Sequence, residues 1–143
     1  MVYFVDTNIF LRTLVKEDEK SFRECYSFLD LIKKRKILAF TSSLVVAEID
    51  WVLESFYKFD RLEVIRALGS ILRLKGLKII DKFNLKLALK IFKEKNVKFI
   101  DALIASNPAI FRKEVIVISY DKDFDKIGLK RIEPKKLFEK FDK

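Results

Sequence analysis

Val2-Tyr3-Phe4-Val5 is an unbroken run of β-branched and aromatic side chains with no polar alternation. Such a run predicts a strand buried on both faces, inside a sheet covered on both sides. It stops abruptly at Asp6-Thr7-Asn8, after which Ile9, Phe10, Thr13 and Leu14 fall at helical spacing. A carboxylate leaving the C-terminal end of a buried strand lies where open α/β sheets keep their ligands. Asp is also a favoured helix N-cap, so on this stretch alone Asp6 reads either as a cap or as part of a site.

The rest of the chain repeats the alternation. Ile37–Phe40, Leu77–Ile80, Val115–Ile118 and, more weakly, Leu129–Ile132 read as further strands. Between them lie amphipathic helical stretches. One runs over Glu19–Lys34, with Phe22, Cys25, Tyr26, Leu29 and Ile32 on one face. Another is capped by Thr41 or Ser42 and runs to about Phe59. Asp60 and Glu63 form a capping box for the next, with Gly76 as its stop. Leu85, Ala88, Leu89 and Phe92 define a helix opened near Asn84, and a further one starts near Asp101 and is interrupted by Pro108. Pro134 opens a terminal helix with Leu137, Phe138 and Phe141 inward. Strands alternating with helices imply a mostly parallel sheet with helices on both faces. A length of 143 residues with no repeat or linker predicts one domain over 1–143.

Composition removes several chemistries. The chain has no His, which excludes His-based acid–base catalysis and His-ligated zinc. Its one Cys, Cys25, excludes an internal disulfide and a Cys metal cluster. Lys and Arg number 30 against 21 Asp and Glu, a net charge of +9 that suits an anionic partner such as nucleic acid or, more plainly, a Lys-rich soluble surface. No apolar run approaches the ~18 residues of a membrane span, and the N-terminus lacks a signal-peptide pattern, so the expected location is the cytoplasm.

Plotted at ~100° per residue, the helix after the second strand puts Val45, Ile49, Val52 and Phe56 on a core face. Asp50, Glu54 and Lys58 form an opposite, solvated stripe with a Glu–Lys pair. Glu48 belongs to neither and shares a flank with Leu44, Trp51 and Ser55. An acid at the edge of an apolar face needs a partner or a metal, because burying it alone is costly. Position therefore singles out four acids: Asp6 and Asp121 after strands, Asp101 at a helix start, and Glu48 one turn inside a helix. Each alone has a plain structural explanation, as a cap or a half-buried ion pair. Together they can converge on one edge of a parallel sheet. Two carboxylates ~4 Å apart repel by ~4 kcal/mol at an effective dielectric of about 20, so four require cations, protons or basic partners. Oxygen ligands without His or Cys select Mg²⁺ or Mn²⁺.

Asp6-Thr7-Asn8, Glu48, Phe99-Ile100-Asp101-Ala102-Leu103-Ile104-Ala105 and Ser119-Tyr120-Asp121-Lys122-Asp123-Phe124 occur in an order that resembles the PIN-domain family across essentially the whole chain. The length is similar to that of VapC-type toxins, ribonucleases of toxin–antitoxin pairs. The resemblance implies a parallel sheet of order 3-2-1-4-5 and Mg²⁺- or Mn²⁺-dependent hydrolysis of RNA. It maps the acidic quartet of the family onto Asp6, Glu48, Asp101 and Asp121, and its supporting polar positions onto Asn8, Ser119 and Asp123. Ser119 stands where Thr is frequent, and Pro108 interrupts a helix that usually continues. A PIN-type nuclease serving RNA processing is the alternative nearest to a toxin. A phosphoaspartyl phosphatase or receiver-like protein fits less well, since the phosphatase pattern wants an Asp where this chain has Asn8 and a receiver wants an acidic pair around the first strand. A non-catalytic RNA-binding module gains nothing from clustered negative charge.

The resemblance also implies a homodimer and a groove for an antitoxin segment, with a basic antitoxin residue reaching the acidic site. Fourteen Phe, four Tyr and Trp51 exceed what a core of this size holds, so exposed aromatic surface is expected. The helices Glu19–Lys34 and Thr41–Phe59 are the expected walls of that groove, with Trp51 as an anchor.

Overall fold

The computed structural model describes residues 1–141, with side chains through Glu139. The elements in chain order are β1 (Val2–Val5), α1 (Thr7–Leu14), α2 (Glu19–Lys33), β2 (Leu38–Thr41), α3 (Ser43–Ser55), α4 (Arg61–Leu72) and β3 (Leu77–Ile79). There follow α5 (Leu85–Glu94), α6 (Phe99–Ala105), α7 (Pro108–Phe111), β4 (Val115–Ile118), α8 (Asp123–Ile127), β5 (Arg131–Ile132) and α9 (Pro134–Phe141). The five strands form one sheet of order β3-β2-β1-β4-β5, with every pairing parallel.

β1 is the central strand, as its unbroken apolar run demands, with Phe4 and Val5 at most 1% exposed. The chain winds outward from β1 through β2 to β3, then crosses back to β4 and continues to β5. Parallel crossovers are right-handed, so reversing direction at β1 sends successive helices to opposite faces. The packing follows that division. α1 packs against α2 and α3, α3 against α4, and α9 against α2, while α6 packs against α5, α7 and α8. The reversal also opens a crevice between the C-terminal ends of β1 and β4. Val5 pairs with Ile118, so Asp6 and Ser119 leave their strands side by side.

Several local features differ from the sequence expectation. α3 ends at Ser55, and its core stripe is Val45, Ile49 and Leu53, in steps of four. Phe56, expected inside, is the C-cap and is 72% exposed. Lys58 has left the helix with φ 58°, so a Glu54–Lys58 pair lacks the helical spacing it needs. On α2 the buried apolar residues are Cys25, Phe28, Leu31 and Ile32, while Tyr26 stacks on Phe22 at the surface. Gly76 does not stop α4, which closes at Arg73. Instead it turns the chain into β3 at φ 88°, where a Cβ would run into the Ile32 carbonyl. Pro108 does end the α6 segment and opens α7, with Asn107 accepting from Ala109 N–H and Ile110 N–H. Leu137 of α9 is buried and Phe138 packs on the core, whereas Phe141 lies outside the described side chains. No helix among the described residues is long and apolar enough to cross a membrane.

Candidate active site

At the crevice between β1 and β4 a cavity of about 180 Å³ is lined by Asp6, Thr7, Asn8, Leu11, Glu48, Val52, Lys98, Asp101 and Asp121. All four acids singled out by position therefore meet in one place. They arrive from four elements: the end of β1, α3, the first turn of α6 and the loop after β4.

Asp6 performs both of the jobs that its sequence position allows. Its Oδ1 accepts from Thr7 N–H at 2.8 Å, capping α1, while Oδ2 accepts from the Ser119 hydroxyl at 2.6 Å and Asn8 Nδ2 at 3.2 Å. The Ser119 hydroxyl, fully buried, accepts in turn from Asn8 Nδ2 at 3.0 Å and Asp121 N–H at 2.9 Å. One donor and two lone pairs are all a hydroxyl offers, and here all three are used. Asn8 completes the brace, accepting from Tyr120 N–H at 3.2 Å. Arg131 holds the same turn from behind, donating to the Ser119 carbonyl at 2.9 Å while paired with both oxygens of Asp125.

Burial raises Asp6 to about 6, outweighing the Ser119 and Thr7 hydrogen bonds, and the charges of Glu48 and Asp121 add to the rise. Asp101, 2% exposed, is pushed up to about 8. Burial is the largest cause, Lys98 opposes it, and the charges of Asp6 and Asp121 reinforce it. Asp121 goes the other way. Burial raises it, but the Asp123 N–H at 2.9 Å, the Lys98 ammonium and the neighbouring Asp101 carboxyl together bring it below the usual carboxylate value. The two neighbouring carboxyls are thus shifted in opposite directions, as expected for groups that titrate together. Asp123 does not line the cavity, but carboxylate oxygens of Asp101, Asp121 and Asp123 lie within 4.8 Å of one another. Asp123 also pairs with Lys126 at 3.2 Å.

These residues fit a hard divalent cation. The donors are all oxygen, and four carboxylates face one cavity against a single ammonium. Asp101 Oδ2 is buried without a hydrogen-bond partner among the described residues, and so is Thr7 Oγ1. The Lys98 ammonium lies 3.9 Å away, beyond hydrogen-bond reach, and a buried carboxylate oxygen among other carboxylates is costly unless a cation joins it more closely.

Lys98 is the residue that position alone did not single out. Its Nζ lies 3.3 Å from Asp121 Oδ2 and 3.9 Å from Asp101 Oδ2. The three-residue spacing to Asp101 was the available signal, since such pairs face each other on a helix. Thr7 is a second lining residue not singled out. Trp51 is 66% exposed on α3 and lines neither of the two hollows nearby. α1 lies between α2 and α3, and the apolar hollow beside α2, about 330 Å³, is closed by Ser70 and Leu74 at the end of α4. Phe22, Tyr26 and Leu29 line that hollow and Trp51 does not. Another hollow, about 270 Å³, shares Asn8 and Leu11 with the acidic cavity and is bounded by Arg12, Ser21 and Tyr57. Arg12 stacks on Tyr120 there, its guanidinium carbon 4.0 Å from the ring centroid.

The model of the PIN domain matches residues 3–130. The chain belongs to the PIN domain family. Among solved structures, a chain of VapBC2 from Rickettsia felis, bound to a DNA fragment from its promoter, is 25% identical, and the likeness covers 93% of this chain and 98% of that one at TM-score 0.65. PAE2754 from Pyrobaculum aerophilum aligns over 98% of this PIN domain chain and 94% of its own at TM-score 0.68 and 15% identity. VapC20 of Mycobacterium tuberculosis, a toxin cleaving the sarcin–ricin loop, aligns over 94% of this chain and all of its own (100%) at TM-score 0.62 and 18% identity. The last two likenesses speak to the PIN fold alone. No curated protein sequence matches the chain.

The raised carboxyls give this PIN domain a pH signature in chelator. Asp6 and Asp101 hold protons more tightly folded than unfolded, so between the ordinary carboxyl value of 3.8 and about 6 or about 8, respectively, the native state binds more protons. Stability is therefore greatest at the acid end of that window and falls as pH rises through it. Asp101→Asn should flatten the fall and stabilise the metal-free protein at pH ~8 by roughly 1–3 kcal/mol, with little change near pH ~4. Denaturant unfolding in EDTA across that range checks this, and parallel curves for the two proteins would contradict it.

Proposed function

We propose that this protein is a metal-dependent endoribonuclease of the VapC type, the toxin of a toxin–antitoxin pair acting in the cytoplasm. The observation that carries the reading is the convergence of Asp6, Glu48, Asp101 and Asp121 on one cavity, with the buried Asp101 Oδ2 left without a hydrogen bond among the described residues. Membership in the PIN domain family and the likeness to a VapBC2 chain support it. These four acids are the proposed catalytic and metal-holding residues. When bound, Mg²⁺ or Mn²⁺ supplies Lewis acidity toward phosphate oxygens and toward water.

The chain's own residues set the geometry for that chemistry. Asp6 stands on the most rigid support, the central strand, and the Ser119 hydroxyl and Asn8 amide fix its Oδ2. Asp121 is aimed by the Asp123 N–H, and Glu48 enters from α3 on the facing wall. Asn8, Ser119 and Asp123 are thus supporting residues that orient the acids. The excess of Lys and Arg holds the RNA backbone without reading its sequence. Arg12 in the adjoining hollow offers a contact for the strand leaving the acidic cavity.

An all-carboxylate site in a basic protein needs its activity restrained, and the surface offers apolar places to do so. The hollow between α1, α2 and α4 suits the apolar face of an antitoxin helix, and Trp51 on α3 is proposed as a separate anchor. Leu85, Leu89 and Phe92 leave an exposed stripe on α5, which is proposed to meet a second copy in a homodimer.

Asp6→Asn should reduce RNA cleavage by roughly a hundredfold or more, beyond the 10–100-fold typical of losing an outer-shell partner such as Ser119. EDTA should abolish cleavage and Mg²⁺ or Mn²⁺ restore it. Asp50→Asn, on the same helix as Glu48 but outside the cavity lining, should leave the rate nearly unchanged. Full activity of Asp6→Asn, or of the wild type in chelator, would overturn the assignment. Trp51→Ala should weaken binding of the co-encoded antitoxin by about 2 kcal/mol, as loss of a buried aromatic anchor does, with cleavage by the free enzyme retained. Calorimetric titration tests this. Undiminished affinity removes Trp51 from the interface, and the lack of any co-encoded binding partner favours a role in RNA processing.

A further inference from the structure

Lys98 breaks a local rule. It is the N-cap of α6, a position that favours Ser, Thr, Asp or Asn, and it makes no side-chain capping bond. A cation at a helix N-terminus is also on the wrong end of the helix dipole. Residues that oppose local preference tend to sit at functional sites. Its ammonium faces the acidic cavity, 3.3 Å from Asp121 Oδ2 and 3.9 Å from Asp101 Oδ2. Yet the side chain is 62% exposed, so it is free to leave along its flexible stem. Among the described residues it is the only basic side chain lining that cavity.

We propose that Lys98 is a tethered stand-in for the divalent cation, a positioning residue that competes with metal for Asp101 and Asp121. The proposal rests on reading the cavity as a metal site. A divalent ion drawing on Asp101 and Asp121 needs the same oxygens that the ammonium faces, and two cations cannot share them without strong repulsion. Without metal, Lys98 neutralises part of the clustered charge and keeps the carboxylates from splaying. With metal, the ammonium moves outward to the cavity mouth. Lys98 thereby sets the metal concentration at which the site fills. The bare site would bind more tightly but would be less well ordered when empty.

The experiment is calorimetric titration of Mn²⁺ into the full chain, without RNA, for wild type, Lys98→Met and Lys98→Arg. Lys98→Met should bind Mn²⁺ roughly fivefold to tenfold more tightly, the range expected for losing a competing, half-solvated ion pair to two carboxylates. Lys98→Arg keeps the charge and should stay within about twofold of wild type. The Mn²⁺ concentration for half-maximal RNA cleavage should fall in parallel for Lys98→Met alone. Equal or weaker Mn²⁺ binding by Lys98→Met, or equal tightening by Lys98→Arg, overturns the proposal while leaving the metal site standing. Failure of all three proteins to bind Mn²⁺ overturns both the metal site and the role of Lys98.

Discussion

Mutual repulsion among carboxylates confined to about 180 Å³ is the constraint on which the rest of this structure depends. At ~4 Å and an effective dielectric of about 20, each pair of like charges costs ~4 kcal/mol. The protein meets that cost in three ways. Hydrogen bonds from Ser119, Asn8 and Thr7 hold Asp6, burial shifts Asp101 toward its neutral form, and Lys98 stands against Asp121. Asp101 Oδ2 receives none of these hydrogen bonds, and it marks the direction in which a cation would complete the site.

The sheet makes the confinement possible. Strand order reverses at β1, so the C-terminal ends of β1 and β4 open into a crevice that no crossover covers. Pairing of Val5 with Ile118 sets Asp6 beside Ser119, and a single hydroxyl then ties the two strand ends together. Thr41 repeats the device on the other side, donating to the Val5 carbonyl at 2.8 Å and fixing β2 to the end of β1. α3 begins just after Thr41 and carries Glu48 to the cavity one turn later. Backbone order at three strand ends is thus converted into placement of side chains that would otherwise drive one another apart.

Much of this is legible in the residues themselves. The apolar run of β1 has one placement, the centre of a covered sheet, and an acid directly after it falls at the crevice. Glu48 is recognisable because it sits off both stripes of its helix. Legibility fails where a side chain's environment depends on elements remote in sequence. Phe56 and Tyr26 carry the chemistry of core residues, yet both are exposed, because α3 ends before Phe56 and the inner face of α2 is set by Phe28 and Leu31. Gly76 looks like a helix stop, but its requirement comes from the Ile32 carbonyl against which the turn packs. Lys98 reads as one lysine among many until Asp121, from beyond the next strand, is placed beside it. The walls of the surface hollows are likewise set by remote elements, since α1 lies between α2 and α3 and the end of α4 closes one of the hollows beside α2.

These carboxylates are proposed to form one divalent-cation site. Anomalous diffraction from crystals grown with Mn²⁺ tests it most directly. A peak is expected inside the cavity, about 2 Å from oxygens of Asp101 and Asp121, with Asp6 and Glu48 around it and the Lys98 ammonium withdrawn. A cavity without a peak at saturating Mn²⁺, with Lys98 still seated against Asp121, would contradict it.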